Sequence, residues 1–179
     1  MPQQVPQPDP SRMTPFTGGA IVAAVRPGSD PLVALTAADL ARVTGGTLYF
    51  AFVDEQRFVE RELPDGSVRH ADLNPDAGDD AWRRREAGMT ADLRRLLADA
   101  GVTWQFRYLA GRPDRALTHL ARAVDAAVIV VGHHAPERGA KVREFLDGAL
   151  ALKLAQHQHR PVLAVPLRVV DWKAPMPWG

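Results

Sequence analysis

Residues 111–134 read "GRPDRALTHLARAVDAAVIVVGHH" and residues 145–166 read "FLDGALALKLAQHQHRPVLAVP". In the first stretch the turn "AGRP" leads into a helix from about Pro113 to Val124. Leu117, Leu120, Ala121 and Val124 recur along it at helical spacing and give it one apolar face. Ala127–Val131 follows as a continuous apolar run, the pattern of a strand covered on both sides of a parallel sheet. Gly132 breaks that strand, and a polar loop carrying Gly139 follows. A helix from about Lys141 to Gln156 carries Gly148, and Pro161 opens a last strand. A strand, a glycine-containing loop and a helix start are what an α/β protein uses to hold a phosphate, because the helix N-terminus presents unpaired N–H groups to an anion.

The alternation continues towards the N-terminus. Ala20–Val25 is an apolar strand. Asp30 suits an N-cap and Pro31 the first helical position, ahead of an Ala- and Leu-rich helix over 32–44 that Gly45-Gly46 ends. "TLYFAFVD" from Thr47 is a second strand. Residues 54–80 break the rhythm: they are charged, with alternating apolar and polar residues on both sides of Pro64-Asp65-Gly66, and read as an inserted hairpin or loop. "NPDAGDD" caps a helix over about 81–100, Gly101 ends it, and a third strand covers 102–109. Strands alternating with helices predict a three-layer α/β/α sandwich around a five-stranded, mainly parallel, Rossmann-like sheet. Ligands of such sheets lie beyond the carboxyl ends of the strands, here Val25–Gly28, Val53–Asp54, Leu109–Arg112 and Gly132–Gly139. The expected organisation is a Pro-rich disordered tail over 1–17, a domain over 18–167 with the 54–80 insertion, and a C-terminal tail over 168–179.

Composition narrows the function. A formal net charge of +1 with scattered basic residues gives no footprint for nucleic acid. Arg83-Arg84-Arg85, the densest run, reads as a solvated helix face. The absence of cysteine excludes disulfides, thiolate catalysis and cysteine-ligated metal. The longest apolar runs fall far short of a membrane span, and "MPQQVPQPDPSRMTPFTGG" lacks a signal peptide's pattern, so a cytoplasmic protein is expected.

The two quoted stretches, together with "AIVAAVRPGSDPLVALTAADLARVTGGTLYFAFVD" over 20–54, resemble the universal stress protein family over roughly Gly19–Leu167, apart from the insertion. The resemblance implies the adenine-nucleotide α-hydrolase-like fold, often dimeric through the last strand. It also implies where a nucleotide would sit. ATP-binding members use Gly-x2-Gly-x9-Gly-[Ser/Thr], in which the glycines let the backbone approach the phosphates. Gly132 matches the first glycine, but three residues on stands Ala135, followed by Pro136, which has no N–H. Gly139 could substitute from a loop of altered length. Fifteen residues separate Gly132 from Gly148 where the pattern has twelve, and Ala149 stands where the hydroxyl should be. The family's acidic residue after the first strand aligns with Arg26, while Val53 matches the apolar residue that can flank an adenine. The expected cofactor-binding set is therefore Arg26, Val53, Gly132, His133, Gly139, Gly148 and Ala149, as a degenerate site. Each lost donor in a buried site costs about 1–3 kcal/mol, so several losses would take a micromolar binder towards millimolar. Against this, Arg26, His133, His134, Arg138, Lys141 and Arg143 fall near one mouth and could take an anion differently.

Other candidates have plainer explanations. His133-His134 and the pair His157 and His159 lack further ligands at metal-binding spacing, His157 and His159 sit at a helix end that favours cations, and His119 reads as a surface or boundary residue. Ser29 and Asp30 are explained by capping. No Ser/His/Asp set, paired carboxylates or phosphate-binding lysine motif appears, which gives no case for an enzyme. Trp172 and Trp178 in the C-terminal tail either cover their own domain or dock on a second subunit. A last strand with Val162, Leu163, Ala164 and Val165 presents an edge that a homodimer would cover. Three readings result: a non-catalytic stress-response module with no cofactor, an ATP-binding and slowly hydrolysing member, or a scaffold that meets a protein partner through 54–80.

Overall fold

The computed structural model describes residues 7–74, 80–133 and 142–169, with backbone alone for 142–148. After a 3-10 turn at Pro10–Arg12 come β1 (Ala20–Ala24), α1 (Leu32–Thr44), β2 (Leu48–Asp54), β3 (Arg57–Glu62), β4 (Val68–Asp72) and α2 (Asp80–Leu96). They are followed by β5 (Trp104–Ala110), α3 (Pro113–Ala123), β6 (Ala126–His133), α4 (Val142–His157) and β7 (Val162–Pro166). Five strands form one sheet in the order β5-β2-β1-β6-β7, and every pairing in it is parallel.

The apolar runs become the middle of this sheet. Ile21, Val22 and Ala23 of β1 and Ile129, Val130 and Val131 of β6 are completely buried. Alternate residues serve opposite faces, as the strand period requires. Ile21, Phe50 and Val130 pack with Ala37 of α1 and Leu93 of α2 on one face. Val22, Ile129 and Val131 pack with Leu117 and Leu120 of α3 and Leu154 of α4 on the other. Each fully buried side chain of this size contributes about 1.5–3 kcal/mol by leaving water. The three layers and the all-parallel sheet follow directly from runs that are apolar on both faces.

Local signals act close to where the sequence placed them. The start of α1 falls one residue later than expected: Pro31 is its N-cap, and the Asp30 carboxylate, one position before it, accepts the Leu32 N–H at 2.9 Å. Gly45 closes that helix in the left-handed region, with φ of 72°. Of the Pro-rich N-terminal segment, residues 7–17 are described. The 3-10 turn is capped by Asp9, Thr14 Oγ1 donates to the Asp125 carboxylate at 3.0 Å, and Gly18 N–H bonds to the Thr44 carbonyl at 2.7 Å.

Between β2 and α2 the chain forms an antiparallel hairpin of β3 and β4. Its turn falls at Pro64-Asp65-Gly66, where Asp65 accepts from both the N–H and the hydroxyl of Ser67. Gly66 has φ of +81°, and a Cβ there would lie 2.5 Å from Leu120 Cδ1. Only glycine gives both the left-handed turn and the close approach to α3. The hairpin packs beside β5, the end strand of the sheet, so that edge is covered. β7 forms the opposite end.

Candidate functional site

β1 is followed in space by β2 on one side and by β6 on the other, so the chain reverses direction across the sheet between β1 and β6. A crevice opens there at the carboxyl ends of the strands. Val25 and Arg26 leave β1 into it, Val53 and Glu55 come from the end of β2, and Gly132 comes from the end of β6. Leu117 of α3 and Leu150 of α4 close one wall, and Leu167 beyond β7 closes the base.

The structure thus brings Arg26, Val53 and Gly132 together around one cleft. Arg26 stands exposed at its mouth. Its backbone carbonyl accepts the Ser29 hydroxyl at 2.9 Å, so Ser29 holds the turn after β1 rather than capping α1. Val53 is half-buried on the cleft wall. His133 ends β6 half-buried, and its carbonyl accepts the Leu167 N–H at 2.9 Å. That bond fixes Leu167 over the strand end. A Cβ on Gly132 would lie 2.7 Å from Leu167 Cδ1 and 3.2 Å from Val33 Cγ2. Packing therefore gives its own reason for a glycine at 132, whether or not a ligand approaches it. Gly148 and Ala149 lie within α4, and Ala149 is half-buried. His134, Ala135, Pro136, Arg138, Gly139 and Lys141 lie outside the described residues, as do Trp172 and Trp178, and nothing is described of the Arg143 side chain.

Next to the cleft lies a second polar cluster. Asp54 ends β2 and is 6% exposed. Its carboxylate accepts the Tyr108 hydroxyl at 2.6 Å, Arg85 at 2.7 Å and the Gln56 N–H at 3.0 Å. Burial, and then donation to Asp54, push the Tyr108 phenol above its ordinary range, so its proton stays in place. The hydrogen bond with Tyr108 holds the Arg85 guanidinium all the more firmly in its charged form. Arg57, 4% exposed, donates to His70 Nδ1 at 2.8 Å and to Asp72 at 3.2 Å. Its guanidinium carbon sits 5.6 Å from the Trp82 ring centroid, and Trp82 packs edge-on against His70 at 4.7 Å. β2, β3, β4, α2 and β5 are thereby fastened together. This chemistry holds protons rather than moving them.

The sequence reading did not find this cluster. Tyr108 and Asp54 are 54 residues apart, and no local spacing links them. His119, expected at a surface or boundary, is half-buried, with Nδ1 3.3 Å from the Glu62 carboxylate of the hairpin. Among the described residues no three His, Asp or Glu side chains converge as a metal site.

A parallel sheet in this order, with two helices on each face and a cleft at the reversal of strand order, defines a doubly wound α/β domain. The universal stress protein family profile matches residues 19–166, and the chain belongs to that family. Among solved structures, a universal stress protein in complex with cAMP is 21% identical, with a TM-score of 0.53, covering 85% of this chain and 99% of its own. A universal stress protein from Archaeoglobus fulgidus in complex with dAMP is 23% identical, with a TM-score of 0.53, covering 83% and 98%. A universal stress protein family member from Burkholderia pseudomallei is 20% identical, with a TM-score of 0.57, covering 84% and 97%. No curated protein matches the sequence. At these identities the likeness is one of fold. No helix among the described residues is long and apolar enough to cross a membrane.

Proposed function

We propose that this chain is a non-catalytic regulatory module of the stress response whose phosphate loop is degenerate, leaving the cleft between β1, β2 and β6 with weak affinity for adenine nucleotides. The observation that carries this is at Gly132. The space beside it is taken by Leu167 and Val33, so this glycine no longer argues for a phosphate. The altered spacing to Gly148, the missing hydroxyl at Ala149 and the cation Arg26 at the mouth point the same way. The protein acts as a cytoplasmic homodimer paired through β7. The support is that β7 ends the sheet with Leu163 and Ala164 exposed, while the other end is covered by the hairpin.

A second reading, an ATP-binding member, draws on relatives crystallised with cAMP and dAMP and on Val53 in the cleft wall. Calorimetric titration with ATP and ADP, with and without magnesium, separates the two. Weak or absent heat fits the degenerate loop. Tight binding that disappears in Gly148→Glu, with the fold intact, would establish the second reading instead.

A further inference from the structure

The cleft has a side lobe. It lies between the N-terminal end of α3 and α4 and has a volume of ≈ 100 Å³. That is room for a phosphate group rather than for a whole ligand, whose sites run to about 300–1,000 Å³. Arg26, Arg112 and Lys153 line it, with Leu150 on the inner wall. Arg26 and Leu150 also line the main cleft, so the two spaces are continuous.

Each cation is placed by its own element. Lys153 follows Leu150 by three positions on α4, which puts both on one helix face. Arg112 immediately precedes α3 and is held by a two-point bond, Nε to Asp114 Oδ1 at 3.2 Å and one Nη to Oδ2 at 2.6 Å. Asp114 is among the few buried charged residues, and its bond to Arg112 holds its carboxyl below the usual range. A buried carboxylate spent on an exposed arginine fixes the orientation of that fork. The other Nη group of Arg112 has no partner among the described residues, which leaves it able to donate outwards. Glu55, also on the lobe, and Asp114 offset part of the charge. The excess is one positive charge, three cations against two carboxylates.

We propose that this lobe is an anion seat: Arg112 and Lys153, with Arg26 at the junction, take the phosphate of a small ligand whose flat apolar part lies in the main cleft against Val53. The ligand class is a nucleoside monophosphate or a similar ring-bearing phosphate monoester. The phosphate then points towards α3. A planar guanidinium fork held in advance is suited to a phosphate's oxygens and loses little freedom on binding. This rests on the cleft reading above only for the apolar part of the ligand.

The test compares adenosine, AMP and inorganic pyrophosphate by NMR titration of the full chain at low salt, in the unchanged protein and in Lys153→Gln and Arg112→Lys. The lysine at 112 retains a charge beside Asp114 and guards against loss of the fold. AMP should bind the unchanged protein about tenfold more tightly than adenosine, as expected for two charge-assisted contacts. Each variant should remove most of that margin and leave adenosine binding as it was. Equal affinity for AMP and adenosine, or a margin untouched by both variants, would overturn the proposal. If adenosine does not bind at all, the cleft reading fails. The seat is then judged on pyrophosphate, which should still shift the signals of Arg112 and Lys153, and its failure to do so would overturn the seat as well.

Discussion

Replacing Asp54 with alanine should loosen the joint between the sheet, the hairpin and α2. Asp54 is 6% exposed and Tyr108 is 5% exposed. Without the carboxylate, the Tyr108 hydroxyl becomes a buried donor with no acceptor, at a cost of about 1–3 kcal/mol. The Arg85 side chain is 38% exposed, so water replaces most of its lost partner, at a cost of about 0–1 kcal/mol. The Gln56 N–H is exposed and returns to water. The expected destabilisation is therefore about 1–4 kcal/mol, read as the change in unfolding free energy in urea. Asp54→Asn should cost less, because its amide oxygen can take the place of Oδ2 and still accept from both Tyr108 and Arg85, while its amide nitrogen faces the exposed Gln56 N–H. The double variant Asp54→Ala with Tyr108→Phe should be more stable than the sum of the two single effects implies, by about 1 kcal/mol or more, since the orphaned hydroxyl is gone. A loss below about 0.5 kcal/mol for Asp54→Ala, or strict additivity in the cycle, would refute the reasoning.

Three further outcomes follow from the same geometry. Gly66→Ala should destabilise by about 2–4 kcal/mol, from a left-handed φ of +81° and a Cβ 2.5 Å from Leu120 Cδ1, and thermal melts would show it; an unchanged melting temperature would mean the hairpin does not bear on α3. The hydrogen bond from Arg112 holds the Asp114 carboxyl below its ordinary range in the folded chain, so its stabilising effect is present above the unfolded-state pKa and is lost as pH falls through the lowered one; Asp114→Asn should flatten the acid limb of the stability curve, and an unaltered limb would contradict this role. Leu163→Lys, at a position on β7 that is 38% exposed, should shift the chain from dimer to monomer in sedimentation velocity with little change in fold; a dimer that survives it would place the interface elsewhere.

Most of the fold was legible because its signals are local or periodic. Val22 and Ile129 lie in continuous apolar runs, which only a sheet covered on both faces accommodates. Pro64-Asp65-Gly66 names its own turn, and Asp30-Pro31 marks the start of α1 to within one residue. The mouth of the site was legible through Arg26, Val53 and Gly132, each at a strand end. The rest depended on distance in the chain. Asp54 meets Arg85 from 31 residues away, and Arg57 meets His70 from 13 and Asp72 from 15. Residues 54–80 read as an inserted hairpin or loop, and nothing in their spacing shows that Arg57 is 4% exposed beside Trp82. Arg85, read as part of a solvated face, in fact reaches Asp54. Lys153 and Arg112, 41 positions apart in the numbering, meet only when α3 and α4 pack side by side. The packing role of Gly132 needed Leu167, which reaches it through the bond to His133.

The most direct measurement is a calorimetric titration of the purified protein with ATP, with and without magnesium, to millimolar ligand. The degenerate loop predicts a dissociation constant no tighter than about 100 micromolar, with no gain from magnesium. Binding at about ten micromolar or tighter, strengthened by magnesium and abolished by Gly148→Glu in a folded protein, would contradict it.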